Sequence, residues 1–337
     1  MNMKAKEKIL VIQTAFLGDL ILSTTLFKKI KLKHPDSHIT LIVNKGTEQI
    51  LSNNPNINSI LPVDKKQTFK NPLKFIKFLY ELQKENFSIC YSPHFSHRSS
   101  LISFFSGARV RIGYKESGFG FLHTKTYPRP LRGVHEVQKL LQLVDSVGLE
   151  RPEIFLGKEV NGEIKSKIEN LSEFIVIAPS SIWETKRMPI EKFIELVRRI
   201  LENTPYTPVI IGSKNDQYLS DQIVNVYGSK VVDMTGRTNL MELSYIISKA
   251  NCVISNDSSP IHIASAFNIP TLAIFGATIT DFGYTPLSER HTISEVSLEC
   301  RPCGVHGGNF CPKKHFRCMM DQNIEEIFSK LKDLLQS

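Results

Sequence analysis

Hydrophobic and polar positions alternate along the chain in two repeated series of strands and helices. Short apolar runs at Ile9–Gln13, Ile39–Val43, Ile60–Val63, Ile89–Ser92 and Val110–Gly113 are long enough for buried strands and too short for helices. Between them lie amphipathic stretches: Lys28–Leu32, Phe75–Leu82 and His135–Val147. In the last of these, Val137, Leu140, Leu141, Val144 and Val147 share one helical face. The second series predicts strands at Phe174–Ala178, Pro208–Gly212, Val231–Asp233, Cys252–Ser255 and Thr271–Phe275. Its helices are expected at Ile190–Leu201, Asp216–Val226, Leu240–Ala250 and Pro260–Phe267. Strand–helix alternation implies α/β architecture with parallel sheets covered by helices on both faces. Two such doubly wound units, facing each other across a cleft, follow from the repetition. The polar stretch Gly157–Asn170 separates them, and a final helix repeats Ile324, Ile327, Phe328, Leu331 and Leu334 on one side.

Length agrees with this division, since 337 residues at about 150 per domain suggest two. With 41% hydrophobic and 22% charged residues the composition is that of a globular protein. No apolar run reaches the roughly 18 residues of a membrane helix. Lys4, Lys6 and Lys8 precede an apolar stretch, but Gln13 and Asp19 interrupt it and no small-residue cleavage site follows. A buried strand in a cytoplasmic protein is the expectation. The net charge of +9 favours an anionic partner: nucleic acid, a membrane surface or a phosphorylated substrate. Aromatic stacking strips are missing, which weakens the nucleic-acid case.

Ligands of doubly wound sheets sit at the carboxyl ends of strands, often against a helix start. Two segments fit. Gly18-Asp19 follows the first strand, where Asp19 can cap a helix or accept a proton from a hydroxyl. Ser255 through His262 follows another; Ser259 is the expected N-cap with Pro260 at the first helical position, a start suited to phosphate. A third loop, Ala178–Pro189, holds the only Trp, Thr185, and the adjacent cations Lys186 and Arg187, which can neutralise a phosphate. The chain has neither a GxxxxGK[ST] loop nor an Asp-x-Asp pair, so an anion site built from protein donors without a metal is the natural inference. Cys300, Cys303, Cys311 and Cys318 form C-x2-C-x7-C-x6-C, compatible with structural zinc, with reduced thiols or with disulfides.

The ordered set Phe16-Leu17-Gly18-Asp19, Ser106–Gly113, His135-Glu136, Trp183–Pro189, Thr235–Leu240, Asn256–Ala264 and Phe275–Thr278 resembles the ADP-heptose:lipopolysaccharide heptosyltransferases of glycosyltransferase family 9. The cysteine block is similar to a segment of heptosyltransferase II-like members. The resemblance implies a GT-B fold of two Rossmann-like domains, residues 1–165 for the acceptor and 166–321 for the nucleotide sugar, with the Cys-rich segment 300–318. It implies that residues 322–337 cross back to the first domain. The implied reaction is inverting and metal-independent, moving heptose from ADP-heptose to a lipid-linked lipopolysaccharide core, with no required cofactor and no nucleic acid. Asp19 would be the base and Lys186 the diphosphate partner, with Gly18, Thr185, Arg187, Asp216, Gly236, Asp257, Ser258, Ser259 and His262 around the substrates. Arg111, His135 and Lys139 are candidates for the anionic acceptor. The basic chain would visit an anionic membrane, on the inner face of the inner membrane. Two departures stand out: Ser259 replaces a glycine usual after Asp-Ser, and Met188 a tryptophan usual before the proline. A transferase using another nucleotide sugar, an epimerase, or a non-enzymatic nucleotide- or nucleic-acid-binding protein are the competing readings.

Overall fold

The structure, a computed structural model, describes residues 6–157 and 160–336. Lys4 and part of the expected inter-domain stretch lie outside them. The chain divides into two compact units, Met1–Phe155 and Leu156–Ser337. The division falls ahead of the expected boundary at 165 because the polar stretch holds a helix, Gly162–Glu169, that belongs to the second unit. Asn161 caps it, and the Tyr245 hydroxyl donates to Glu169 Oε1 at 3.0 Å.

The first unit contains β1 (Lys8–Gln13), β2 (His38–Asn44), β3 (Ser59–Val63), β4 (Ile89–Tyr91), β5 (Val110–Tyr114) and β6 (Lys125–Tyr127). They form one parallel sheet in the order β3-β2-β1-β4-β5-β6. The second unit contains β7 (Phe174–Ala178), β8 (Thr207–Ile210), β9 (Val232–Asp233), β10 (Cys252–Asn256), β11 (Thr271–Phe275) and β12 (His291–Glu295). Its sheet, also parallel, runs β12-β11-β10-β7-β8-β9. Counted from its own first strand, each sheet has the order 3-2-1-4-5-6, whose direction of winding reverses between the first and fourth strands. The reversal lies between β1 and β4 in one unit and between β7 and β10 in the other. The edge strands β6 and β12 are additions to the sequence expectation.

Each sheet closes a core of its own. Leu10, Ile12, Ile42, Cys90 and Ile102 are fully buried in the first, with Leu79, Leu82 and Phe87 packed beside them. In the second, Ile175, Ile177, Ile254, Leu272 and Ile274 meet Phe193, Leu196, Val197 and Ile200 of the helix Ile190–Asn203. The last helix, Ile324–Gln336, joins that core through Ile327, Phe328, Leu331 and Leu334. Its apolar side, for which the resemblance implies a dock on the first domain, is thus buried in the second unit. The physical reason is local: β11 and β12 leave an open sheet face that this helix covers.

Candidate functional site

In the first unit, β1 leads into the helix Leu17–Leu22 through Thr14, Ala15 and Phe16. The turn is pinned from several sides. Asn44 at the end of β2 donates through Nδ2 to the carbonyls of Thr14 and Ala15 at 2.9 and 2.6 Å. Gln13 Nε2 donates to Ser23 Oγ at 2.6 Å. Across the winding reversal, Thr14 Oγ1 lies 2.9 Å from His94 Nδ1, joining the loops after β1 and β4. Gly18 sits in the first turn of the helix, and the half-buried Asp19 accepts from the Phe16 backbone N–H at 3.2 Å. Asp19 is thus not the N-cap expected from the sequence but the third residue of the helix, reaching back to the N–H of Phe16, which occupies the N-cap; the bond holds the carboxylate at the mouth of the reversal.

Beneath this turn lies a buried ion cluster. Glu136, 3% exposed, receives Arg129 Nη2 at 2.7 Å on both carboxylate oxygens. Lys139, 1% exposed, places its Nζ 3.6 Å from Glu136 Oε2. Burial pushes the Glu136 carboxyl above its ordinary value, and the negative charge of Asp19 adds to that effect while Arg129 and Lys139 oppose it. Lys139 is therefore an internal counter-ion, and His135 caps the helix Glu136–Leu141, its Nδ1 accepting from Val137 N–H at 3.1 Å. Arg111 is occupied as well: Nε and Nη1 each donate at 2.8 Å, to the carbonyls of Leu122 and Ala108.

Beside the same reversal a cavity of about 300 Å³ is lined by Thr14, Lys65, Phe69, His94, Ser96, His97 and Arg98. Ser96 Oγ caps the helix His97–Phe105 by accepting from Ser99 N–H at 3.2 Å. Burial lowers the Lys65 amine from its ordinary value, the Arg98 charge lowers it further, and Asp19 raises it. A basic pocket with a helix start suits an anionic group.

The second unit builds its site at the other reversal. Asn256, the last residue of β10, donates through Nδ2 to the Pro179 carbonyl beyond β7 at 2.8 Å and accepts from Met188 N–H at 3.1 Å. Asp257 follows, 6% exposed. Lys186 Nζ lies 2.6 Å from its Oδ2, and the Thr278 hydroxyl donates to the same oxygen at 2.6 Å. The helix Ser259–Ala266 begins immediately afterwards, with Ser258 at the N-cap. The start is one residue earlier than expected, so Ser259 is its first residue and Pro260 its second, where a missing N–H still costs no helical bond. His262, 3% exposed, lies within this helix, its ring centroid 6.4 Å from that of Tyr284.

The remaining candidates shape the walls. Thr185 Oγ1 accepts from Gly308 N–H at 2.8 Å and donates to the Gly308 carbonyl at 3.0 Å. Arg187 Nε donates to the Ser181 carbonyl and Nη1 to Glu184 and Tyr218, closing the loop on itself. Asp216 Oδ2 accepts from both N–H and Oγ of Ser213, a turn-capping role. Gly236 has φ +68°, and a Cβ there would stand 2.9 Å from Lys214 Cα, so only glycine fits this approach. Met188 is buried in the second core.

The cysteine-rich segment is clamped onto the same wall. Arg301 Nε and Nη2 donate to the carbonyls of Gly276 and Thr278, and Cys303 N–H donates to that of Ala277 at 2.9 Å. Cys300, Cys303, Cys311 and Cys318 are all free thiols, and among the described residues no group of three or more His, Cys, Asp or Glu side chains is placed to hold a metal. Burial raises Cys303 and carries Cys318 to about 11, and the other thiols of the cluster add to both. Cys311 is held below its ordinary value: burial opposes this, but the backbone N–H groups of Phe316, Lys313, His315 and Lys314 outweigh it.

The structure thus gathers Gly18 and Asp19 in one unit, and Lys186, Asp257, Ser258, Ser259 and His262 in the other. It adds Thr278, Asn256, His94 and Arg129. Thr278 lies in a quoted motif, but nothing in its spacing announces a bond to Asp257; Arg129 carries no sequence signal.

A family model for glycosyltransferase family 9 (heptosyltransferase) matches residues 75–313. Lipopolysaccharide heptosyltransferase 2 of Escherichia coli K12 is 23% identical over 347 residues, covering 97% of this chain and 98% of that protein. A glycosyl transferase family 9 structure from Veillonella parvula superposes with a TM-score of 0.82 at 21% identity, covering 99% of each chain. The structure of E. coli ADP-heptose lps heptosyltransferase II gives 0.77 at 20% identity, covering 98% of each. The fold is that of GT-B heptosyltransferases, and the chain belongs to glycosyltransferase family 9, the heptosyltransferases.

Proposed function

We propose that this enzyme moves heptose from ADP-heptose to a lipid-linked lipopolysaccharide inner-core acceptor, with inversion and without a metal or other cofactor. The observation that carries the reading is Asp19, a half-buried carboxylate held by its bond to the Phe16 N–H at the winding reversal of the first sheet. The names of relatives that cover nearly the whole chain supply the substrates. In this reading an acceptor hydroxyl transfers its proton to Asp19 while its oxygen forms a bond to the anomeric carbon of the heptose. The bond from that carbon to the diphosphate breaks, and ADP leaves with the electron pair. Lys186, fixed by Asp257, and the N–H groups at the start of Ser259–Ala266 stabilise the charge that develops on the diphosphate. The cavity lined by Lys65, His97 and Arg98 takes an anionic group of the acceptor. The reaction takes place at the inner face of the inner membrane, and nucleic acid has no part in it.

The test is calorimetric titration with ADP, UDP, GDP and ADP-heptose in the presence of EDTA, followed by turnover of Asp19→Ala. Selective binding of the adenine nucleotides and a loss of about 10²–10⁴-fold in kcat are expected. Preference for UDP or GDP removes the donor assignment. Near-normal turnover by a folded Asp19→Ala variant removes the base.

A further inference from the structure

The helix Pro72–Lys84 of the first unit is apolar on two opposite sides. Leu79 and Leu82 on one side are buried in the core, with Phe75 and Phe78 packed against it. On the other side Leu73, Ile76 and Tyr80 stand 79%, 62% and 58% exposed. Their spacing of three and four residues makes them a single stripe. By the same helical geometry Lys77 and Lys84 run along one flank, with Lys74 a step beyond, and all three are exposed. The preceding segment adds exposed Lys66 and Lys70. Between Asp64 and Lys84 six lysines stand against two carboxylates. Both acids are engaged, Asp64 in capping the helix Lys65–Phe69 and Glu81 with Lys84. The adjacent helix His97–Phe105 ends in Phe104 and Phe105, 42% and 45% exposed.

Single exposed apolar residues are ordinary on protein surfaces. A stripe of them bordered by lysines on one helix is different. It is the pattern of a helix lying in the plane of a lipid–water interface, where apolar side chains enter the acyl boundary and lysines reach back to anionic headgroups. A protein partner is the poorer match, because lysine is depleted in protein–protein interfaces.

We propose that the outer face of Pro72–Lys84, formed by Leu73, Ile76 and Tyr80 with Lys70, Lys74 and Lys77, docks this enzyme onto an anionic phospholipid bilayer. The inference rests on the reading that the acceptor is lipid-linked, which gives the enzyme a reason to be there.

The experiment is sedimentation of the full chain with vesicles of phosphatidylcholine alone and of phosphatidylcholine mixed with phosphatidylglycerol. Binding to the mixed vesicles only, weakening with salt, is expected. Replacing Lys74 and Lys77 by glutamine should reduce it by roughly fivefold per lysine. The triple variant Leu73→Ser, Ile76→Ser, Tyr80→Ser should lose it while keeping the wild-type circular dichroism spectrum. Transfer to a lipid-free oligosaccharide acceptor should be unchanged in that variant, with transfer to the vesicle-embedded acceptor reduced. No sedimentation of the wild type, or equal sedimentation of the triple variant, overturns the proposal. Self-association of the wild type that the triple variant abolishes also overturns it, in favour of contact between copies. Wild-type protein that binds vesicles yet transfers nothing to either acceptor sinks the transferase reading and leaves the docking surface standing.

Discussion

Lys186 Nζ and the Thr278 hydroxyl converge on one oxygen of Asp257, each at 2.6 Å. The Lys186 and Asp257 side chains are 13% and 7% exposed, so the pair is largely desolvated. Coulomb attraction is strong there, and the loss of one partner strands the other. Asp257→Asn should cost about 3–5 kcal/mol of stability, read from urea unfolding. It should also weaken ADP-heptose binding, because the ammonium loses its fixed position. A variant with wild-type stability and affinity would separate Asp257 from any role in placing Lys186.

Glu136 poses the same question in the first unit. Its carboxylate balances Arg129 and Lys139 below the turn that carries Asp19. Glu136→Gln removes the carboxylate that Arg129 and Lys139 share and should destabilise by about 3–5 kcal/mol. The added positive field should also lower the basicity of Asp19 and shift the acid limb of the kcat/KM profile to lower pH. An unmoved acid limb would show that the cluster is structural only.

Acid should weaken the protein through His123. Burial lowers this imidazole to about 4, and the charge of Arg111 adds to the shift. The folded chain keeps it neutral while the unfolded chain takes up a proton below its ordinary value of 6.5. Its stabilising contribution is therefore complete above about pH 6.5 and declines as pH falls toward 4, by roughly 2–3 kcal/mol in all. Urea midpoints between pH 7 and pH 4 should show a shallower fall for His123→Gln than for the wild type.

Among the clustered thiols, Cys311 is the one the backbone favours as thiolate. Brief treatment with iodoacetamide at neutral pH should alkylate Cys311 ahead of Cys303 and Cys318, as peptide mass spectrometry would report. Earlier labelling of Cys318, which is buried and raised to about 11, would contradict the arrangement of this segment.

Removing divalent metal should leave turnover intact. Dialysis against EDTA followed by a transfer assay tests this directly, and activity restored only by added metal would replace the protein-donor account of diphosphate stabilisation.

The interior strands were legible because parallel strands buried on both faces read as unbroken apolar runs. Of the edge strands, β3 and β9 were legible but β6 and β12 were not: Lys125-Thr126-Tyr127 is short and polar, and His291–Glu295 carries a single isoleucine. The helix His97–Phe105 escaped periodicity for another reason. Its inward positions include Ser99, Ser100 and Ser103, all fully buried, while Phe104 and Phe105 face outward. Asp19, Lys186 and the segment Asn256–His262 were visible because they leave strand ends and enter turns or helix starts. The bonds that position them join residues far apart in sequence, such as Lys186 with Asp257 or Thr14 with His94, so no local spacing records them.

The last helix has a consequence for how the chain is made. Residues up to Phe155 form a sheet with a core of its own, so this half can begin folding while the second is still being made. The second half cannot close its core so early. Ile327, Phe328, Leu331 and Leu334 seal its core, and they are synthesised after all six strands of its sheet. Until this helix has been made and has packed, the sheet that carries Lys186 and Asp257 has an apolar face open to water, which makes truncation ahead of the helix a route to aggregation.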